Sequence, residues 1–139
     1  MKRNSKLSLA LHAMGHMARE PDKRFRSEDI AAFHQTNPVV VRRVLGRMRE
    51  LDLVTSEKGH SGGWQLAKPA TDIALSDIYV GLADKQFRVE NSADTHCAVE
   101  RALFNAFEDA MSEAERTLID RLRSISLQNI ADEMDNKKS

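Results

Sequence analysis

A chain of 139 residues with 41% apolar and 30% charged residues is long enough for one modest core with an appendage and too apolar for a disordered segment. Its formal charge is zero, yet 13 basic residues face 7 acidic ones up to Lys68 and 8 face 14 after it, so +6 and −6 are segregated and one half is suited to a polyanion. No apolar run approaches the roughly 20 residues that cross a bilayer, and the lone Cys97 excludes an internal disulfide and a metal site built from several thiolates of one chain, so a cytoplasmic protein without membrane contact is the expectation.

From Ser5 to Ala18 the residues Leu7, Ala10, Leu11, Met14, Met17 and Ala18 recur at helical spacing, and Ser5 can cap the start. His12 and His16 fall on the far face of that wheel as two solvent-exposed histidines, with no third metal ligand near them in sequence. After Glu20-Pro21-Asp22 breaks this helix, Ser27 can cap a short second one carrying Glu28 and Asp29 in its first turn. Gln35-Thr36-Asn37 makes a turn, Asn37 caps, and Pro38 at the first helical position opens a third helix to about Leu51. Its buried stripe is Val41, Val44, Leu45, Met48 and Leu51, which completes a helix-turn-helix.

Leu53-Val54-Thr55 and Trp64-Gln65-Leu66 alternate as two short strands, joined by a loop that holds three of the six glycines. This predicts a wing. Ser76 is expected to cap a brief helix through Leu82, and residues 83–96 are polar, aperiodic and therefore expected as an exposed loop, a candidate sensor region. From Cys97 to Arg123 a single helical pattern returns with Val99, Leu103, Ala106, Phe107, Ala110, Ala114, Leu118, Leu122 and Ile125 on one face. At 1.5 Å per residue it spans roughly 40 Å and overhangs so small a domain, which predicts self-association through it. A capped turn at Ser126–Ile130 and a charged tail from Asp132 finish the chain.

The fold class expected is mainly α with a small β wing: a winged helix-turn-helix over residues 1–82, the loop at 83–96, and a long dimerisation helix with its tail over 97–139. Double-stranded DNA is the expected partner. The first turns of a recognition helix reach base edges, so Val39, Arg42 and Arg43 are the base-reading candidates, because an arginine fork pairs bidentately with guanine. Arg47 and Arg49 lie deeper, set to meet phosphate or to pair with Glu50 and Asp52. In the wing, Lys58, His60, Ser61 and Gly62 combine charge with a backbone that can approach phosphate closely. Trp64 reads as a wing-base core residue, and Lys2, Arg3 and Lys6 add charge near the first helix. The seam of a second copy would use Val99, Leu103, Phe107, Ala110, Ala114, Leu118 and Leu122.

The run Asn37-Pro38-Val39-Val40-Val41-Arg42-Arg43, the pair Leu53-Val54, and Gly59-His60-Ser61-Gly62-Gly63-Trp64-Gln65-Leu66-Ala67-Lys68-Pro69 together resemble the Rrf2 family of bacterial winged-helix transcription regulators. The resemblance continues through Ile73-Ala74-Leu75-Ser76-Asp77-Ile78-Tyr79 and the long helix. It implies a homodimer with crossed long helices and two recognition helices on a pseudo-palindromic operator, usually in repression, with half-sites roughly 34–36 Å apart or a multiple of that. Cluster-binding relatives carry three closely spaced cysteines near the start of that helix; here only Cys97 stands there, so no iron–sulfur cofactor and no other metal is expected. What remains is a single thiol at a helix N-terminus, a candidate sensor of an oxidant or small electrophile, or an inert side chain. The alternative from another class is a winged-helix interaction module without specific DNA binding, which the basic helix disfavours. An enzyme is not expected: no Ser-His-Asp set or phosphate-binding glycine loop can be assembled, and His96 beside Cys97 lacks an orienting third residue.

Overall fold

The computed structural model describes residues 5–58, 63–83 and 97–136. Six helices and one hairpin follow in the order α1 (Lys6–Arg19), α2 (Ser27–His34), α3 (Pro38–Glu50), β1 (Val54–Glu57), β2 (Gly63–Leu66), α4 (Leu75–Leu82), α5 (Ala98–Arg123) and α6 (Leu127–Asn136), with a 3-10 turn at Ala70–Asp72 before α4. The expected class, a mainly helical winged helix-turn-helix with a long C-terminal helix, is what forms.

Ser5 caps α1 by accepting from the Ser8 amide at 2.9 Å. The side of α1 that is buried is broader than its sequence stripe: Leu9, Ala10, Ala13, Met14 and Met17 are each at most 2% exposed, whereas Leu7 and Leu11 are only half-buried. The reason is that α1 is gripped from several sides at once, packing against α3, α4 and α6. Helix α2 starts at Ser27, but its cap is Arg26, and Ser27 is itself buried. Gln35 then takes a left-handed conformation (φ 58°) and turns the chain, with the Thr36 amide bonded to the Ala31 carbonyl at 2.9 Å. Asn37 caps α3 through the Val40 amide at 3.1 Å, and Pro38 stands in the first turn, where no amide is needed. Val41, Val44, Leu45 and Met48 are buried as their spacing predicted.

The hairpin pairs Val54 with Leu66 and Glu57 with Gly63 in antiparallel register. Phe25 adds a third rung: its amide and carbonyl exchange bonds with Trp64 at 3.0 and 2.8 Å. That close approach is why residue 63 is glycine. Gly63 has φ 152°, and a Cβ there would fall 2.8 Å from the Phe25 carbonyl oxygen.

Two sequence expectations are corrected downstream of the wing. Ser76 is a buried residue inside α4, and the helix is instead opened at Ala74, whose amide donates to the Asp77 carboxylate at 3.0 Å. Residues 127–136, expected as a turn and a solvated tail, form α6, which folds back on α1 and buries Leu127 and Ala131 in the core. The reason is a helix start as complete as any in the chain: the Asn129 amide donates to Ser126 Oγ, and the Ser126 amide donates to Asn129 Oδ1. Two backbone bonds of 2.9 Å, Leu75 to Ile125 and Leu127 to Ile73, pin this corner to the start of α4. Where α4 meets α5, burial of the Tyr79 phenol, with the Glu115 carboxylate adding to it, pushes its pKa above 10.0.

Candidate nucleic-acid interface

Helix α3 presents its first turns outward. Val39 is 59% exposed, and Arg42 and Arg43 are exposed beside it, because Val41, Val44 and Leu45 take the inward positions of the same turns. Three residues expected to act with them, His60, Ser61 and Gly62, lie outside the described residues, as do Lys2 and Arg3. Lys58 is exposed at the edge of β1 and lines a groove of about 410 Å³ between α2, α3 and the wing. Arg26, Glu28, Arg42 and Trp64 line the same groove, so the recognition helix and the wing form one continuous concave face.

The wing is locked to the helices by contacts that the sequence reading did not pair. Trp64 is 6% exposed, the core residue expected, and its Nε1 donates to the Ser27 hydroxyl at 2.9 Å. The Arg24 fork grips the Glu57 carboxylate through both oxygens. Arg49 donates to Ser56 Oγ at 2.6 Å and lies 5.5 Å from the centre of the Trp64 ring, so it braces β1. Arg47 turns to the other flank, donating to the Gly81 carbonyl and to Glu50, both at 3.1 Å. The four arginines of α3 thus divide. Arg42 lines the groove, Arg43 is exposed beside it, Arg49 holds the wing, and Arg47, expected to meet phosphate or to pair with Glu50, pairs with Glu50 and packs toward α4.

Glu28 is the residue most readily overlooked here. Its carboxylate stands between two guanidinium groups, 3.5 Å from Arg42 and 3.9 Å from Arg26. A helix-capping acid in the first turn of α2 explains it from sequence alone; only the packing of α2 across α3 shows that it also reaches a recognition arginine.

Of the two α1 histidines expected at the surface, His12 is exposed and His16 half-buried, and both have ring neighbours. His12 Nδ1 lies 2.8 Å from Nδ1 of the buried His34, and the rings of His12 and His16 pack on Phe33 at 5.2 and 4.8 Å between centroids. Among the described residues no three His, Cys, Asp or Glu side chains converge on a position for a metal ion.

Helix α5 is the second surface. None of its 26 residues is buried, and Val99, Leu103 and Phe107 are 66, 56 and 53% exposed. Ala110 and Ala114 are exposed with them, but Leu118 and Leu122 are half-buried and share a different stripe with Phe104, Met111 and Glu115. The single apolar face read from sequence is therefore two, because the C-terminal half of α5 leans on α4 and turns those leucines toward its own domain. Cys97 is the exposed residue immediately before α5. No helix among the described residues is long and apolar enough to cross a membrane.

A profile of the Rrf2 family, described as iron-dependent transcriptional regulators, matches residues 3–133. YwnA of Bacillus subtilis (strain 168), a protein named as an HTH-type transcriptional regulator, is 32% identical over 129 residues, which is 91% of this chain and 95% of YwnA. Among solved structures, IscR of T. potens aligns with a TM-score of 0.71 at 20% identity over 100% of this chain and 92% of its own. CymR, the global cysteine regulator of B. subtilis, aligns with a TM-score of 0.62 at 21% identity over 95% and 97%. At those identities the two structures show a shared fold.

Proposed function

Because the chain belongs to the Rrf2 family of transcriptional regulators, we propose that it acts as a homodimer that binds one pseudo-palindromic operator, represses from it, and releases it on a redox or electrophile signal. The observation that carries the DNA reading is the exposed first two turns of α3, with Val39, Arg42 and Arg43, set beside the wing groove. An arginine there can pair bidentately with guanine, while Arg26 and Lys58 meet phosphate. Support for the dimer comes from α5, which leaves Val99, Leu103 and Phe107 in water although the helix is folded against α4. A single subunit gains nothing from that stripe; a second α5 laid across it would remove it from solvent.

The description of the family as iron-dependent does not fit the donors of this chain. A cluster of the family's kind needs several thiolates, and Cys97 is the one cysteine in 139 residues. The signal is therefore assigned to the thiol alone. It stands exposed immediately in front of α5, open to an oxidant or a small electrophile.

Selection of bound fragments from random-sequence DNA, followed by anisotropy titrations of the recovered duplex, tests the core of this reading. The expected result is a motif with two-fold symmetry and an affinity whose log–log salt slope falls by about 0.9 for each phosphate neutralised. No recovered motif, together with no binding at low ionic strength, overturns it.

A further inference from the structure

Glu28 sits where a DNA-binding surface has least use for a negative charge, facing the groove between α2, α3 and the wing. Its ion pairs add little to the stability of the fold. Its side chain and those of Arg26 and Arg42 are 56, 56 and 53% exposed, and pairs so open to water contribute little to stability. The spacing matters more than the strength. At 3.5 and 3.9 Å both contacts are longer than the about 2.7–2.9 Å of a charge-assisted hydrogen bond, so Arg42 is held by Glu28 electrostatically while its donors stay available. The other acid of the groove, Glu57, is occupied by the Arg24 fork. Of the two acids lining the groove, that leaves Glu28 to act on Arg42.

We propose that Glu28 is a specificity-determining positioning residue: it holds the Arg42 fork toward one base pair and keeps it from the phosphate backbone. Any duplex offers phosphates, and a free arginine takes them. With Glu28 in place, a phosphate bound by Arg42 must come close to a carboxylate, whereas a guanine edge in the groove brings no charge with it. Correct sequence therefore keeps the bridge, and incorrect sequence has to break it or forgo Arg42. The inference rests on the DNA-binding reading above.

The test uses the full chain, a duplex selected from a random library by the wild type, and a shuffled duplex of the same composition. Glu28→Gln keeps the shape and removes the charge. It is expected to tighten binding to the shuffled duplex about tenfold more than to the selected one. It should also steepen the salt slope on the shuffled duplex by about 0.9 per protomer, as Arg42 takes one more phosphate. Reselection with Glu28→Gln should lose preference at the base pair where Arg42→Ala also loses it, and Glu28→Asp should restore it in part. Equal tightening on both duplexes with an unchanged motif would mean bulk repulsion alone and overturns the proposal, as does a loss of preference at a different base pair. A wild type that selects no motif at all fails earlier and refutes the DNA reading instead. All three side chains are exposed, so folding of the variants is checked simply by circular dichroism.

Discussion

Substituting Leu103 and Phe107 together by Glu should convert the protein to monomers without unfolding it. Fully burying a leucine or phenylalanine side chain contributes roughly 1.5–3 kcal/mol, and with 56 and 53% of these residues still exposed about half of that is left to gain, near 1 kcal/mol each. In the proposed two-fold dimer both residues act from both subunits, so the seam would hold about 4 kcal/mol in these side chains, or roughly a thousandfold in dissociation constant at about 1.4 kcal/mol per decade. The glutamates add the cost of burying unpaired charge, so the shift is expected to be at least that large. Because no residue of α5 is buried in the single chain, the helical circular dichroism and melting of the monomer should remain near those of the isolated fold. Sedimentation equilibrium over a wide concentration range measures the shift, and binding to the two-half-site operator should weaken in parallel. A wild type that stays monomeric at tens of micromolar, or a double variant whose dissociation constant moves less than about tenfold, refutes the assignment of this stripe to the seam.

Ser27→Ala leaves the buried Trp64 N–H without its acceptor, which costs about 1–3 kcal/mol and should lower the melting temperature by several degrees while loosening the wing; unchanged melting would mean the bond carries nothing. Asn37→Ala removes the cap of α3 and should cost about 1 kcal/mol by denaturant titration, with the loss appearing equally on every duplex since the cap reads no base. Arg43→Ala should cost roughly 1–3 kcal/mol on the selected operator and less on shuffled DNA, whereas Arg47→Ala, turned toward Gly81 and Glu50, should leave the selected motif intact. With Cys97→Ser, DNA release by peroxide or a thiol-reactive electrophile should disappear; release that persists would move the sensor elsewhere.

The parts of this fold that the sequence made legible are those whose cause is local. Asn37 followed by Pro38 states a helix start in two residues, and the alternation in Leu53-Val54-Thr55 and Trp64-Gln65-Leu66 states two short strands, because each acts on its own backbone. What escaped was set by neighbours remote in sequence. Ser27 reads as a cap until Trp64, 37 residues on, takes its hydroxyl. The charged run after Asp132 reads as a tail because only Leu127, Ile130, Ala131 and Met134 are apolar in α6, and only the side of α1 that receives them shows why so narrow a stripe suffices. On α5 the periodicity reads as one face, but each step of four residues turns the helix about 40° further, so the run drifts around it and Leu118 and Leu122 come to be half-buried while Val99, Leu103 and Phe107 stay exposed. The candidate site divides the same way. Four arginines on one helix look equivalent in sequence, yet Gly81, Ser56 and Glu28 give three of them different tasks.

That division also bears on how a signal near Cys97 would reach DNA. The C-terminal end of α5 is tied to the start of α4 by the Ile125–Leu75 and Ile73–Leu127 backbone bonds, and α4 is tied to α3 by Arg47 on the Gly81 carbonyl. A Cβ added at Gly81 would fall 2.3 Å from Leu51 Cδ1 and 3.3 Å from Met48 Cε, so α4 approaches the end of α3 closely there and an added methyl group would push those side-chain ends aside. These contacts give a change in the position of α5 a continuous route to the recognition helix. Gly81→Ala discriminates directly: if the α3–α4 contact transmits the signal, the variant should bind the operator with altered affinity while its oxidant response is blunted, and an unaltered response would show that α5 reaches the recognition helix by another route.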